Sequence, residues 1–206
     1  MNARFNKEAG IAIGPILFVV AILAILATAI AAGSSTFATN ASQETNRTNA
    51  AAMISIGQNL KMGVDRIVAL GTSIANVDIN SANTTANNAL FSPTGGGLVP
   101  PAVSLSATPG SDTWIYSWVA VTNLGTTALE RIALLRVNQG VCDQINTQTG
   151  STTPSAADLG AFSNTTNLTS ANWSAGLAGK MVGCLNNDTT GSANDGYYFY
   201  QVLAVQ

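Results

Sequence analysis

Hydrophobic and polar positions alternate on three different scales along this chain, and each scale predicts a different kind of element. From Ile11 to Ile30 the run IAIGPILFVVAILAILATAI contains no ionisable side chain, and none occurs between Glu8 and Glu44. As a helix rising ~1.5 Å per residue, twenty such residues span ~30 Å, the hydrocarbon thickness of a bilayer. Residues 36–75 follow without proline, and Ile54, Leu60, Val64, Ile67, Val68 and Ile74 fall on one stripe at spacings near three, four and seven. That period predicts an amphipathic helix with Lys61, Asp65 and Arg66 off the stripe, ending near Asn76. Gly33, Gly57, Gly63 and Gly71 each cost such a helix ~1 kcal/mol relative to alanine, which points to bending, close packing or fraying.

Beyond it the pattern shortens. Residues 76–111 read as loop, rich in Asn and Thr, with Gly95-Gly96-Gly97 and Pro93, Pro100, Pro101 and Pro109; Val103–Ala107 alternates as an edge strand would. Thr113–Val121, TWIYSWVAV, reads as a strand with Trp114, Tyr116 and Trp118 on one face and Ile115 on the other. An aromatic row of this kind serves as sheet packing in most proteins and as a sugar- or base-stacking surface in others. Thr127–Asn146 reads as a helix, with Thr126 or Thr127 as N-cap, Glu130 placed for a capping box, and Leu129, Ile132, Leu135, Val141, Cys142 and Ile145 at helical spacing. Residues 147–171 form a second polar loop, Trp173–Cys184 a short helix, and Tyr197–Val205 a final strand apolar enough to be central or covered. The expected class is α+β: a long N-terminal helix, half membrane-type and half amphipathic, packed on a small antiparallel-sheet head with one or two extra helices.

Composition narrows the function. Of 206 residues only 9% are charged, 47% are hydrophobic, and the net charge is −2. A chain without histidine has no His-based catalytic arrangement, and two cysteines leave few soft ligands for a metal. Basic residues scattered singly make no nucleic-acid footprint. No G-x-S-x-G, P-loop or dinucleotide fingerprint is present, so no catalytic residues, no cofactor and no enzymatic activity are expected. Arg4 and Lys7 precede the apolar run and no Lys or Arg follows until Arg47, which keeps the N-terminus cytoplasmic and sends the rest across. A cleaved signal peptide ending near Ala29-x-Ala31 and a plain signal anchor compete with that arrangement. In an exported segment the even pair Cys142 and Cys184 points to a disulfide worth roughly 3–4 kcal/mol, with two buried free thiols as the alternative. Asn186-Asn187-Asp188 and Asn194-Asp195-Gly196 bracket a loop where Asp188 and Asp195 are weak Ca²⁺ candidates, although these are also ordinary turn residues.

A short basic leader ending in Gly10, followed by the apolar run, resembles the N-terminus of type IV pilins and type II secretion pseudopilins. The resemblance covers about the first 70 residues. It implies cleavage between Gly10 and Ile11 by a prepilin peptidase, methylation of the new terminus, storage in a bacterial inner membrane through Ile11–Ile30, and assembly into a filament. The partners implied are homologous pilin-like subunits and an inner-membrane assembly platform, with the head periplasmic or extracellular. Pro15 stands at the fifth mature position, where most of the family carries Glu. The pseudopilin that caps the filament tip and some minor pilins also lack that Glu, so the departure favours a minor or tip-proximal subunit. Segments follow as 1–10 leader, 11–32 transmembrane and assembly helix, 33–75 amphipathic continuation and 76–206 globular head. The rival expectation is a membrane-anchored or secreted binding module that uses the aromatic strand and the Asn/Thr-rich loops.

Overall fold

The computed structural model of the chain describes residues 13–104, 106–110, 112–119, 124–125, 130–151, 179–187 and 195–205. The chain divides into two compact units, Met1–Glu44 and Thr45–Gln206. The second is α+β. Helix α1 (Ile13–Ala69) supplies residues to both units; a 3-10 turn (Ile74–Asn76), strands β1 (Ile115–Val119) and β2 (Glu130–Val137), helix α2 (Gln139–Gln148), and strands β3 (Val182–Asn187) and β4 (Gly196–Ala204) complete the described elements.

Within the second unit, the buried face of α1 is Ala50, Met53, Leu60, Val64 and Ile67, each at most 2% exposed. Their spacing of three and four residues puts them on one stripe, with Gly57 filling the missing position. A Cβ at Gly57 would stand 2.9 Å from Cζ of Phe199 and 3.1 Å from Cβ of Gln201, so the absent side chain is what lets β4 approach the helix. Gly63 does the same for Leu90 and Leu98. The helix stops at Ala69 rather than near Asn76. Gly71 adopts φ +94°, its N–H reaches the Val68 carbonyl at 2.9 Å, and the Thr72 N–H reaches Ile67 at 3.3 Å. This left-handed cap ends the ladder while the apolar stripe runs on into Ile74, which lies in a separate 3-10 turn, Ile74–Asn76.

The sheet is antiparallel throughout, in the order β1-β2-β4-β3. The last strand is therefore internal, as its apolar sequence suggests. Side chains alternate between two cores: Ala133, Leu135, Val137, Phe199 and Leu203 join the α1 cluster, whereas Ile132, Leu134, Tyr198, Tyr200 and Val202 join a cluster on the opposite face. That two-sided burial explains the chief departure from the sequence reading. Glu130–Val137 is a strand, not the first half of a helix, because a central strand covered on both faces shows an unbroken apolar run instead of alternation. Glu130 is fully buried at the start of that strand rather than in a helix's first turn; Thr126 and Thr127 lie outside the described residues. The helix in this region is only α2, started by Asn138, whose carbonyl accepts from the Val141 and Cys142 N–H groups at 3.0 Å.

Two further elements differ. Cys184 lies in β3 rather than at the end of a helix, and residues 173–178 of that reading lie outside the described residues. Val103–Ala107 forms no strand among its described residues; its Ala107 carbonyl instead accepts from Asn138 N–H at 2.8 Å. The Asn-rich loop is tied down by its own side chains. Asp78 Oδ1 accepts from the Asn80 N–H at 2.8 Å and Oδ2 from Asn83 Nδ2 at 2.6 Å, while Asp78 and Ala89 form a parallel bridge that buries Val77, Ile79, Leu90 and Phe91.

Candidate functional site

Two surfaces stand out, one in each unit. In the first unit, Gly14–Ala31 is an 18-residue helical window of mean hydropathy 2.6, none of it buried. By length and composition it can cross a membrane. Ile16, Leu17, Phe18, Val19, Val20, Leu23, Ile25, Leu26 and Ile30 are each more than half exposed, so the chain's own fold does not cover them. Water is a poor solvent for such a surface, at ~25 cal/mol per Å² of apolar area. Pro15 sits in the first described turn of α1, and a helix's first turn tolerates proline because its N–H groups have no intrahelical partner. Gly10 and Ile11, the expected processing site, lie outside the described residues.

In the second unit, the aromatic row of β1 turns inward. Trp114 and Tyr116 are 5% and 3% exposed, and each meets another ring edge-on: Trp114 on Phe199 with centroids 5.9 Å apart, Tyr116 on Phe91 at 5.1 Å. Trp118 carries the Arg131 guanidinium 5.1 Å from its ring centroid. The same Arg131 donates to the Ala75 and Val77 carbonyls at 2.5 and 3.3 Å, latching the chain after α1 to the sheet; burial lowers its pKa, and the nearby Asp78 charge opposes that shift. The row is therefore wall and core rather than an open stacking platform. Beside it, Trp114 and Tyr116 line a cleft of about 470 Å³ with Ser81, Pro100, Pro101, Val103, Asp112 and Thr113. A second groove of about 440 Å³ runs along α1 past Leu60, Met62 and Arg66 to Leu98 and Val99. Gly97, at φ +73°, leaves the room that the Arg66 guanidinium occupies there.

Burial pushes the Tyr116 and Tyr200 phenols well above their ordinary value. The folded state thus holds these protons in a range where the unfolded chain, titrating near pH 10, has lost them. Stability from both groups is complete below pH 10 and declines as pH rises above it, by about 1.4 kcal/mol per pH unit for each tyrosine. Chemical denaturation at pH 9 and pH 11 checks this: an unchanged midpoint would contradict it, and Tyr200→Phe should flatten the decline.

Cys142 in α2 and Cys184 in β3 are joined by a disulfide, with Cα atoms 5.3 Å apart and both residues fully buried. One turn further along α2, Asn146 donates to the Cys184 carbonyl and accepts from its N–H, both at 2.9 Å. This side chain occupies the outer edge of β3 where another strand would pair, and nothing in the local sequence of Asn146 signals that role. Of the calcium candidates, Asp188 lies outside the described residues, and the Asp195 carbonyl accepts from Arg136 Nη2 at 2.6 Å. Among the described residues no group of three or more metal-ligating side chains comes together. No protein-family model, no curated protein and no solved structure matches the chain.

Proposed function

We propose that the chain is a pilin-like structural subunit, a minor pilin or pseudopilin, that is anchored by its apolar helix and assembles into a filament of the type IV pilus or type II secretion kind. The observation that carries this reading is the apolar surface of Gly14–Ala31, left wholly uncovered by the fold. A subunit stored in a bilayer and later transferred into a bundle of like helices needs such a surface, since lipid and neighbouring helices are the two environments that stabilise it. Arg4 and Lys7 before the run supply the orientation, and Gly10-Ile11 supplies the leader boundary. The sheet unit, closed by a buried disulfide, supplies a stable body on the far side of the membrane. The role is mechanical, without a cofactor, and the missing Glu at Pro15 favours a minor or tip-proximal position.

Intact-mass and N-terminal sequencing of the protein from its native host test the reading. A chain beginning at Ile11 with a methylated amine is the expected result. Gly10→Leu should leave the leader attached and keep the protein in the membrane fraction, out of filaments. A start near Ala32, an intact Met1, or filament entry by Gly10→Leu would each overturn it.

A further inference from the structure

Exposed apolar side chains in the second unit gather in one place. Among its described residues the large hydrophobic ones left in solvent are Met62, Leu70 and Val99, which are 60%, 63% and 83% exposed. Met62 stands four residues before Arg66 and Leu70 four after it, on one side of the helical backbone, where the Leu70 N–H still reaches the Arg66 carbonyl at 3.0 Å. Met62, Arg66 and Val99 share the groove of about 440 Å³ along α1, whose apolar wall also includes Leu60, Leu98 and Pro101. That volume lies within the ~300–1,000 Å³ usual for ligand sites.

Arg66 is the one ionisable side chain in the groove's lining, and among the described residues its guanidinium makes no hydrogen bond or ion pair. Other cations of the unit are engaged: Lys61 by the Asp65 carboxylate at 2.7 Å, Arg131 by the Ala75 and Val77 carbonyls, Arg136 by that of Asp195 and Lys180 by that of Gly150. The Arg66 guanidinium fills the space beside Gly97 that a side chain there would take, which sets it at the groove wall while the residue stays exposed.

We propose that this groove binds a single-chain carboxylate amphiphile, a fatty acid whose head pairs with Arg66 and whose chain lies over Met62, Leu98 and Val99.

Each half of the surface specifies one half of the ligand. A guanidinium takes a carboxylate through two parallel hydrogen bonds, and one unpaired positive charge matches one monovalent head. The exposed apolar wall is stabilised by an alkyl chain that removes it from water. A neutral amphiphile would cover the wall and leave Arg66 unpaired, whereas a short carboxylate would do the reverse. An extended peptide suits the groove less, because its backbone needs partners of its own. The N–H groups of Gly95, Gly96, Gly97 and Leu98 are already bonded to the carbonyls of Ser92, Ala89, Ser92 and Leu90, and Asn59 adds a single amide. The groove lies wholly within the second unit, so the inference is independent of filament assembly.

Methyl NMR of the full chain in phosphatidylcholine nanodiscs tests it. The chain has four methionines, Met1, Met53, Met62 and Met181. Labelled at the methyl carbon, Met62 reports on the groove and the buried Met53 on the core, while Met181, packed on the opposite-face cluster, is the reference. Octanoate, decanoate and dodecanoate are the probes, at up to millimolar concentration, with partition into the bilayer measured on empty discs. Met62 is expected to shift saturably while Met181 stays, and each added methylene should tighten the Kd about twofold to fourfold. Arg66→Gln should weaken dodecanoate binding about tenfold or more and remove the preference for decanoate over 1-decanol. Val99→Glu, a like charge at an exposed position of the wall, should weaken it as well. A Met62 resonance indifferent to dodecanoate overturns the proposal. Equal response of the wild type to decanoate and 1-decanol does so too, since the patch would then be unselective. A Met62 shift that follows protein concentration without ligand would put a second copy of the chain on this face instead. Binding unchanged in both Arg66→Gln and Val99→Glu would place the acid elsewhere and overturn the proposal equally.

Discussion

Replacing Cys142 and Cys184 together by alanine is expected to lower the stability of the sheet unit by about 3–4 kcal/mol, the chain-entropy value for a loop of this length. For a unit of roughly 160 residues, where 1 kcal/mol moves the midpoint about 2–4 °C, this is a fall of about 6–16 °C. Alanine is the informative replacement, because both sulfurs are buried and a serine hydroxyl there would add a desolvation cost of its own. The bridge spans 42 positions of sequence and joins α2 to β3, two elements otherwise connected through residues 149–181. Asn146 acts at the same joint. Asn146→Leu would leave the Cys184 N–H and carbonyl buried without partners, for a loss of about 2–4 kcal/mol. Asn146→Asp would keep the acceptor but bury a carboxylate oxygen against the Cys184 carbonyl, so its loss at neutral pH should be at least as large and should shrink as the carboxyl is protonated. Since the bridge and the amide fix one contact, the triple variant should lose less than the sum. Thermal unfolding of the full chain, oxidised and reduced, checks all four variants. A midpoint within 2 °C of wild type after removal of both cysteines would mean that the bridge constrains nothing.

How far this architecture can be read from the chain depends on whether the determining contacts are local. The last strand is legible because YYFYQVLAV is β-branched, aromatic and bounded by Asp195-Gly196, and the structure sets it in the middle of the sheet. The amphipathic stripe of α1 is legible from its period, and so is the pairing of the only two cysteines. β2 is not: Leu129, Ile132 and Leu135 happen to fall at helical spacing, while the strand's real signature, burial on both faces, depends on what packs against it. The end of α1 is illegible for a related reason. Apolar residues continue to Ile74, but the backbone leaves the helix at Gly71, where a positive φ is available without steric cost. Gly57 and Gly63 read as sites of bending, close packing or fraying, and the structure makes them points of close packing, for Phe199 and for Leu90 and Leu98. Asn146 and the β1 cleft are formed by residues 38 and more than 30 positions apart, so no window of sequence contains either.

On the proposed reading, a single arginine at Leu23 is expected to bring membrane retention close to balance, and a second charge at Ile22 to abolish it. Between Gly14 and Ala31 the chain carries ten Ile, Leu, Val or Phe residues. At about −0.3 to −0.6 kcal/mol each on an insertion scale, they favour the membrane by roughly 3–6 kcal/mol. An arginine at the centre costs about 2.5–3.5 kcal/mol and also removes the contribution of the leucine it replaces. One substitution therefore nearly offsets the whole preference, whereas two exceed it. The same charge on the exposed, polar face of the second unit, for instance at Asn59, should leave retention unchanged, which separates an effect on insertion from one on net charge. Alkaline extraction followed by flotation reads the outcome. Retention of the Ile22→Lys/Leu23→Arg variant at the wild-type level would remove the bilayer from the account of this helix, and the filament reading, which needs the bilayer as the subunit's store, would fall with it. Loss of retention with the sheet unit still folded and oxidised would locate the membrane function entirely in the first unit, leaving the second free to evolve its clefts for contacts outside.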